Sequence, residues 1–181
     1  TPEMIWIKNR TWTRNWAVYH KGSNGGTNPA EYYLVLNSNA SQFQSSGMFN
    51  DTEPTSTQFT VGTSNRVNAT GDKYLAMLFA SVDGISKVGY YNGSNNTITI
   101  TTGFQPRFLI VKRVTGASNA NWWVFDTMRG WGTNTQGLKL NEDDDQENLG
   151  NISTRLSTGF TLTNNNQWNG DGEKYIYYAH A

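Results

Sequence analysis

The chain carries two copies of one sequence pattern. An apolar segment that ends in Lys8 returns as a segment that ends in Lys112, and the motifs that follow keep their order. The further matching pairs are Trp16 with Trp122, Leu36 with Leu140, Phe59 with Phe160 and Tyr74 with Tyr175. The spacing between partners changes only between the apolar segments, as loop lengths do in a repeated scaffold. Because an enzyme usually needs one asymmetric site, this duplication favours a building or binding function.

Neutral polar residues supply most of the polarity of the chain. Of its 181 residues only 15% are charged, and 14 basic residues balance 14 acidic ones, so no basic patch for nucleic acid or an anionic membrane is expected. The chain has no cysteine, which excludes thiol catalysis, cysteine-ligated zinc and disulfide bonds. The longest apolar run, residues 74–82, is far shorter than the roughly 20 residues of a membrane-spanning helix. The sequence therefore predicts neither nucleic-acid binding nor membrane insertion.

Short segments rich in branched and aromatic residues alternate with clusters of Gly, Asn, Ser and Thr, which predicts strands joined by turns. The twelve predicted strands cover residues 4–8, 16–20, 32–36, 59–61, 74–80, 87–91, 97–101, 108–112, 122–126, 138–140, 160–162 and 175–179. No window of a dozen residues has a helical period. The predicted fold is all-β, an antiparallel β-sandwich of jelly-roll or concanavalin-like type built from two pseudo-repeats.

The repeat also predicts how the chain is divided. Residues 1–81 form the first repeat and residues 82–181 the second. Two predicted strands, at residues 87–91 and 97–101, precede the second copy and have no counterpart before the first, so the first copy is truncated at its start. Two interpretations remain open. Either the chain is cut from a longer repeating protein, or these two strands belong to both halves of one sandwich.

Four motifs follow one another in a distinctive order between residues 87 and 179. They are Lys87-Val88-Gly89-Tyr90-Tyr91, Thr102-Gly103-Phe104-Gln105-Pro106, Trp122-Trp123-Val124-Phe125-Asp126 and Tyr175-Ile176-Tyr177-Tyr178-Ala179. This order resembles a repeat domain of tail-fibre and other virion appendage proteins of marine, cyanophage-like bacteriophages. The resemblance covers nearly the whole chain. It implies a virion component made in the host cytoplasm, with host-surface attachment as its task, and it brings no catalytic residues.

The predicted function is a non-enzymatic structural module of a phage appendage, a tail fibre or similar. Its expected partners are other copies of itself or other virion proteins, together with a glycan or protein of the host surface. The alternative is a carbohydrate-binding module or a glycan-active enzyme. No nucleophile, base and orienting group emerge together, so no catalytic residue is predicted. His20 stands where the other copy has Asp126, which predicts a structural polar site at a strand end.

Three tryptophans do not recur between the copies and lie among Thr, Gly and Asn in predicted loops: Trp12, Trp131 and Trp168. Such side chains are candidates for stacking on sugar rings, with neighbouring Asn and Thr supplying directional hydrogen bonds. The alternative is that these rings cap the ends of the core or face a neighbouring subunit.

One acidic run stands out in the second copy, and its candidate metal ligands are Glu142, Asp143, Asp144 and Asp145. Calcium prefers six to eight oxygen ligands, which a carboxylate-rich loop can supply. The spacing differs from that of a calcium-binding helix-loop-helix, and the matching segment of the first copy is uncharged. A calcium site and a solvated loop are therefore both open interpretations, and no other cofactor is expected.

Two segments are more apolar than a half-solvated strand needs, residues 74–80 and 175–181. The balanced charge offers little repulsion between copies of the chain. We therefore expect self-association within a multimeric or repeating fibre, where many weak contacts add through avidity.

Overall fold

The computed structural model describes residues 1–116 and 120–181, and over these residues the chain is an antiparallel β protein. Strands make up 38% of it and helices 8%, which confirms the predicted all-β fold class. The strands are β1 (Met4–Asn9), β2 (Ala17–His20), β3 (Tyr32–Val35), β4 (Phe43–Gln44), β5 (Tyr74–Phe79), β6 (Ser86–Asn92), β7 (Ile98–Thr101), β8 (Phe108–Arg113), β9 (Trp123–Asp126), β10 (Thr135–Lys139), β11 (Glu147–Gly150), β12 (Arg155–Leu156), β13 (Gly159–Leu162) and β14 (Lys174–His180).

Helical structure is confined to single turns. The described residues contain one α-helical turn, α1 (Ser46–Phe49), and three 3-10 turns, Ser23–Gly26, Pro29–Glu31 and Thr127–Arg129. In that part of the chain no helix is long and apolar enough to cross a membrane.

The strands form three sheets, and two of these sheets repeat one topology. The first sheet has the order β4-β3-β2-β1-β5, and the second has the order β11-β10-β9-β8-β14-β6. Five strands of each sheet thus follow the same succession, of which the sequence predicted four pairs, while β4 and β11 were not predicted. The second sheet has one strand more, because β6 pairs with β14 on the side away from β8. The third sheet, β12-β13-β7, belongs to the second copy alone.

Recurring asparagines hold equivalent loops in both copies. Asn37 Oδ1 accepts a hydrogen bond from the backbone N–H of Trp16 at 3.0 Å. Asn141 Oδ1 accepts the same bond from the backbone N–H of Trp122 at 2.8 Å. Backbone groups left outside the strand ladders need such partners, which explains why these asparagines recur in the sequence.

Recurring tyrosines at the start of equivalent strands also hold the preceding loops in both copies. The hydroxyl of Tyr74 donates to the carbonyl of Asn65 at 3.0 Å, and that of Tyr175 donates to the carbonyl of Asn166 at 2.9 Å. Each hydroxyl also accepts a backbone N–H, from Ala69 in the first copy and from Gly170 in the second. The repeat is therefore preserved in side-chain chemistry as well as in strand order.

The two large sheets pack face to face around a shared apolar cluster. The first sheet and its β3 end contribute Met4, Val18, Leu34 and Leu36, and the second sheet with its flanking residues contributes Val88, Ile110, Val114, Trp122, Val124 and Ile176. The indole N–H of Trp122 donates to the carbonyl of Val35 at 2.9 Å, a hydrogen bond between the copies. Burial of this shared apolar face holds the two copies together. The boundary between the repeats, predicted between residues 81 and 82, stays a prediction.

The outer faces of the two large sheets are covered differently. The second sheet packs on the three-stranded sheet through a second cluster that includes Phe125, Phe160 and Tyr175. The first sheet is covered by α1 and coil, through Met48, Phe49 and Val67 among others.

The strand predicted at residues 59–61 is wrong, because those residues form coil. The matching strand β13 is held by its pairing with β7, and the first copy has no β7 counterpart.

Candidate functional site

Trp12 is the exposed one of the seven tryptophans, with 62% of its surface open to solvent. Its indole N–H donates to Asp72 Oδ1 at 3.1 Å, and its backbone N–H donates to Asn9 Oδ1 at 2.9 Å. Asn9 is itself buried and donates to Asp72 Oδ2 at 2.8 Å. Because these bonds hold the side chain before any ligand arrives, contact with a ligand costs less ordering entropy. The arrangement suits an aromatic platform.

The exposure expected for Trp131 and Trp168 is wrong, since both side chains are buried in the core of the second copy. The indole N–H of Trp131 donates to Ser153 Oγ at 2.9 Å, and its ring meets that of Phe160 edge-on. Trp168 packs edge-on against Trp123, with 5.8 Å between ring centroids. Both residues belong to the core cluster of the second copy, which includes Phe160 and Tyr175. The structure therefore does not bring the three predicted tryptophans together.

The acidic run of the second copy folds around a lysine. Lys139 Nζ, at the end of β10, lies 2.9 Å from Glu142 Oε2, 3.5 Å from Asp144 Oδ2 and 2.5 Å from Glu147 Oε1. Hydrogen bonds to the carboxylates of Glu147 and Glu142 raise the pKa of Lys139 above its ordinary value. The same ammonium lies 5.4 Å from the ring centroid of Trp123. The carboxylates thus have a cation of the chain itself as their partner.

The predicted calcium ligands do not assemble into a site of their own. Glu142 and Asp144 point to the lysine, and Asp143, Asp144 and Asp145 are all exposed. Within residues 1–116 and 120–181, no group of three or more His, Cys, Asp or Glu side chains is arranged to hold a metal ion. Calcium binding by this loop stays a prediction without an assembled ligand set in that part of the chain.

His20 is fully buried between the copies, and both of its ring nitrogens are used. Nδ1 accepts from the backbone N–H of Gly22 at 2.9 Å, so the N–H at Nε2 faces the carbonyl of Tyr177 at 3.2 Å. Burial lowers the pKa of His20 to about 3. At the matching position Asp126 accepts the backbone N–H of Arg129 at 3.0 Å. Both side chains close a turn that follows a strand.

Lys112 is buried in the middle of the stack. Its ammonium donates to the carbonyl of Ala120 and lies 5.1 Å from the ring centroid of Trp122. Burial lowers the pKa of Lys112 to about 7. The matching Lys8 donates to the carbonyl of Arg14 at 2.7 Å in an exposed setting. One repeated lysine therefore sits in two different dielectric environments.

The edge strand β5 exposes large apolar side chains on both of its faces. Leu75 and Met77 lie on one face and Leu78 on the other, and the exposed fractions are 40%, 39% and 50%. Beside this strand is a cavity of about 390 Å³ lined by Pro2, Ser56, Thr57, Gln58, Phe59 and Leu78. Trp12 flanks the same strand, because Thr11 and Asp72 join its loop to the start of β5. An exposed ring and an exposed apolar edge therefore lie on one side of the first copy.

Sequence reasoning identified residues 74–80 as unusually apolar but did not identify the edge that they form. It also passed over Lys112 and Lys139. The signal for Lys112 was present, because a lysine at the end of the run Phe108-Leu109-Ile110-Val111 stands where an inward side chain is expected. Nothing in the sequence indicates that a loop would wrap around Lys139.

Comparison with known proteins assigns the chain to a family. No curated protein matches it. No solved structure matches it either. A family model covers the chain from residue 1 to residue 181, a range that includes both copies, the shared core and the β5 edge. The protein therefore belongs to the family described as Domain of unknown function (DUF7483).

Proposed function

We propose that this protein is a non-enzymatic structural module of a phage virion appendage, a tail fibre or similar, and that it contributes to attachment to the host surface. The single observation that carries the proposal is the duplicated framework, two copies of one five-strand order stacked on a shared core. Such a framework suits a rigid building unit. The virion setting comes from the resemblance of the repeat motifs to appendage proteins of marine phages.

Two surfaces of the first copy support an assembly and contact role. The β5 edge offers exposed apolar side chains to other copies of the module or to other virion proteins. Trp12 offers an ordered ring to a glycan or protein of the host surface, and the aromatic face of an indole is suited to sugar rings. Weak contacts of this kind add through avidity when many modules share one fibre.

The alternative function, a carbohydrate-binding module or a glycan-active enzyme, draws on the same residue. Trp12 is held by Asp72 and Asn9 in one orientation, as a binding platform requires. A free binding module and a virion module differ in where the protein is found, and an enzyme differs from both in releasing product.

The test combines location and binding. Antibodies against the purified protein should label appendages of phage particles from a culture that carries the gene. A multimeric display of the protein should bind bacterial surface polysaccharides on a glycan array, and Trp12→Ala should weaken that binding roughly tenfold, about 1.4 kcal/mol. Phe43→Ala is the matched control, because Phe43 is also an exposed ring but lies at the opposite edge of the first sheet.

The outcomes separate the candidates. Glycan binding without label on particles favours the free binding module. Sustained release of sugar products from the array favours the enzyme. Label on appendages together with unchanged binding by Trp12→Ala keeps the structural role and rejects Trp12 as the contact residue.

A further inference from the structure

Equivalent strands of the two copies have different numbers of partners. In the second copy β14 lies between β8 and β6, and its pairing with β6 runs from Lys174 opposite Asn92 to His180 opposite Ser86. In the first copy β5 pairs with β1, from Asn9 opposite Tyr74 to Met4 opposite Phe79. It ends the first sheet, with no strand of the described residues on its other side.

The open side of β5 presents a regular row of backbone groups. The carbonyls of Lys73 and Phe79 accept hydrogen bonds from the β1 side, from Arg10 and Glu3. Because these directions alternate along an antiparallel strand, the N–H and C=O groups of the even-numbered residues 74, 76 and 78 point away from β1. The matching residues of β14, at 175, 177 and 179, face β6. An unpaired row of this kind is a template for another strand.

Side-chain burial shows what the missing neighbour would cover. Ile176 is 1% exposed and its counterpart Leu75 is 40% exposed, while Ala179 is fully buried and its counterpart Leu78 is 50% exposed. The cavity of about 390 Å³ opens beside Leu78. Apolar side chains and a cavity next to unpaired backbone indicate a docking place for a strand with apolar side chains.

We propose that β5 captures a strand of the β6 type from another module of this repeat class, in the register that β6 adopts on β14. That register places a Tyr90 equivalent beside Leu75, a Gly89 equivalent beside Ala76 and a Val88 equivalent beside Met77. Leu75 and Met77 thereby meet apolar side chains, Leu78 lies beside a Lys87 equivalent whose aliphatic stem covers it, and the edge amides gain partners. This inference stands apart from the proposed virion role, since it concerns only which strand the edge accepts.

Ala76, at the centre of the β5 edge, leaves more room for a docked side chain than Tyr177, its counterpart on β14. On β14, Gly89 lies against the ring of Tyr177, so that a Cβ at position 89 would collide with the phenol. On β5 the matching residue is Ala76, which removes that collision. The edge therefore accepts side chains that the second copy excludes.

Two details limit the proposal to one strand. In the second copy Gly159 approaches the carbonyl of Ile100 so closely that a Cβ has no room, and the first copy has Gln58 at that position. A β7 equivalent therefore does not dock on the first copy in the same geometry. The outer edge of β6 in this chain is also closed to docking by another strand. There Ser81 Oγ accepts the N–H of Val88, and the backbones of residues 82 and 86 bond to each other.

The experiment uses the full chain and a synthetic peptide with the sequence of residues 84–93. Titration calorimetry should detect binding, and hydrogen exchange read out by mass spectrometry should show slower exchange in β5, roughly tenfold or more at the outward amides. A peptide carrying Gly89→Val should bind at least as well, because the ring that excludes it on β14 is absent on β5 and valine favours a strand.

Two variants of the chain test the site. Ala76→Pro removes an outward N–H at an edge position where proline is tolerated, and it should lower peptide affinity roughly tenfold. Leu78→Lys leaves the backbone unchanged and should weaken binding, because it sets a second positive charge beside the Lys87 equivalent. Lys73→Met, at an exposed position just before β5, is the control that should bind normally. Normal folding of each variant is checked by circular dichroism.

Three results would overturn the proposal. The first is binding of the peptide with unchanged exchange in β5. The second is failure of the Gly89→Val peptide to bind while the unmodified peptide binds, which would locate the strand on β14. The third is a dimeric free protein whose β5 amides are already protected, which would make a second copy of β5 the occupant.

Discussion

The two copies share one strand order and differ in how their sheets are covered and in how their edges are paired. The second copy closes a sandwich, with β14 in the interior of a six-stranded sheet and a three-stranded sheet packed over Phe160. The first copy ends at β5 and is covered by α1 and coil, so its Phe59 is only partly buried. The difference shows which part of the repeat is the framework. Both copies keep the strand order, the loop-holding asparagines and the hydrogen bonds of the tyrosine hydroxyls. They differ in what covers the outer face of the sheet and in whether β5 or β14 has a second neighbouring strand.

The largest expected effect compares the matching phenylalanines. Phe160 is fully buried against Trp131 and Tyr177, so Phe160→Ala should lower the free energy of unfolding by about 3–5 kcal/mol. Phe59→Ala should cost about 1 kcal/mol, because that ring is partly exposed and leaves no closed cavity. Equilibrium unfolding in urea measures both losses. Equal losses would mean that the cover of the first copy packs as well as a sheet.

The next effect compares the matching lysines. Folded Lys112 loses its proton near pH 7, whereas in the unfolded chain it keeps the proton up to about 10.5. Between these values the unfolded chain binds more protons, so stability should rise with pH, by about 2–3 kcal/mol from pH 7 to 9.5. Lys112→Met should flatten this slope in urea titrations at each pH, and Lys8→Met should keep it. A slope that survives Lys112→Met would contradict the lowered pKa of Lys112.

The smallest effect concerns the two histidines. The folded pKa of His20 is about 3 and its ordinary value is 6.5, so the unfolded chain binds more protons as the pH falls between them. Stability should therefore fall by about 2 kcal/mol between pH 6.5 and 4.5 through this residue. Thermal unfolding across that range should show a weaker pH dependence in His20→Asn. His180→Asn, at an exposed position, should behave like the parent chain, and identical slopes for all three proteins would refute the assignment.

Much of the framework could be predicted from the sequence, because it rests on local patterns. Alternating apolar segments gave the long strands, and the repeated Asn and Tyr gave the equivalence of the copies. The strands β4, β11 and β12 were missed, since they are short and carry polar residues such as Gln44, Glu147 and Arg155. Such strands exist because a neighbour holds them, not because of their own preference.

The candidate site was harder to predict, because exposure depends on which parts of the chain fold back over the core. Trp131 and Trp168 lie among turn-forming residues, and yet their loops bring them into the cluster around Phe160. Trp12 lies in a similar sequence and stays outside. The apolar character of β5 could be read directly, but its place at an edge follows from the strand that it lacks, which no local pattern reveals.

The interior position of β14 also has a consequence for the order of folding. The first sheet draws on residues 4–79, whereas β6 waits for a partner that lies some 80 residues further along the chain. Until β14 inserts, β6 and β8 are two separate edges, and an incomplete chain exposes both of them to foreign strands. Pairing at such a distance is slow, because the loop must close before any contact rewards it. Insertion of β14 therefore removes the facing edges of β6 and β8 in one step, and it leaves β5 exposed to foreign strands in the folded chain.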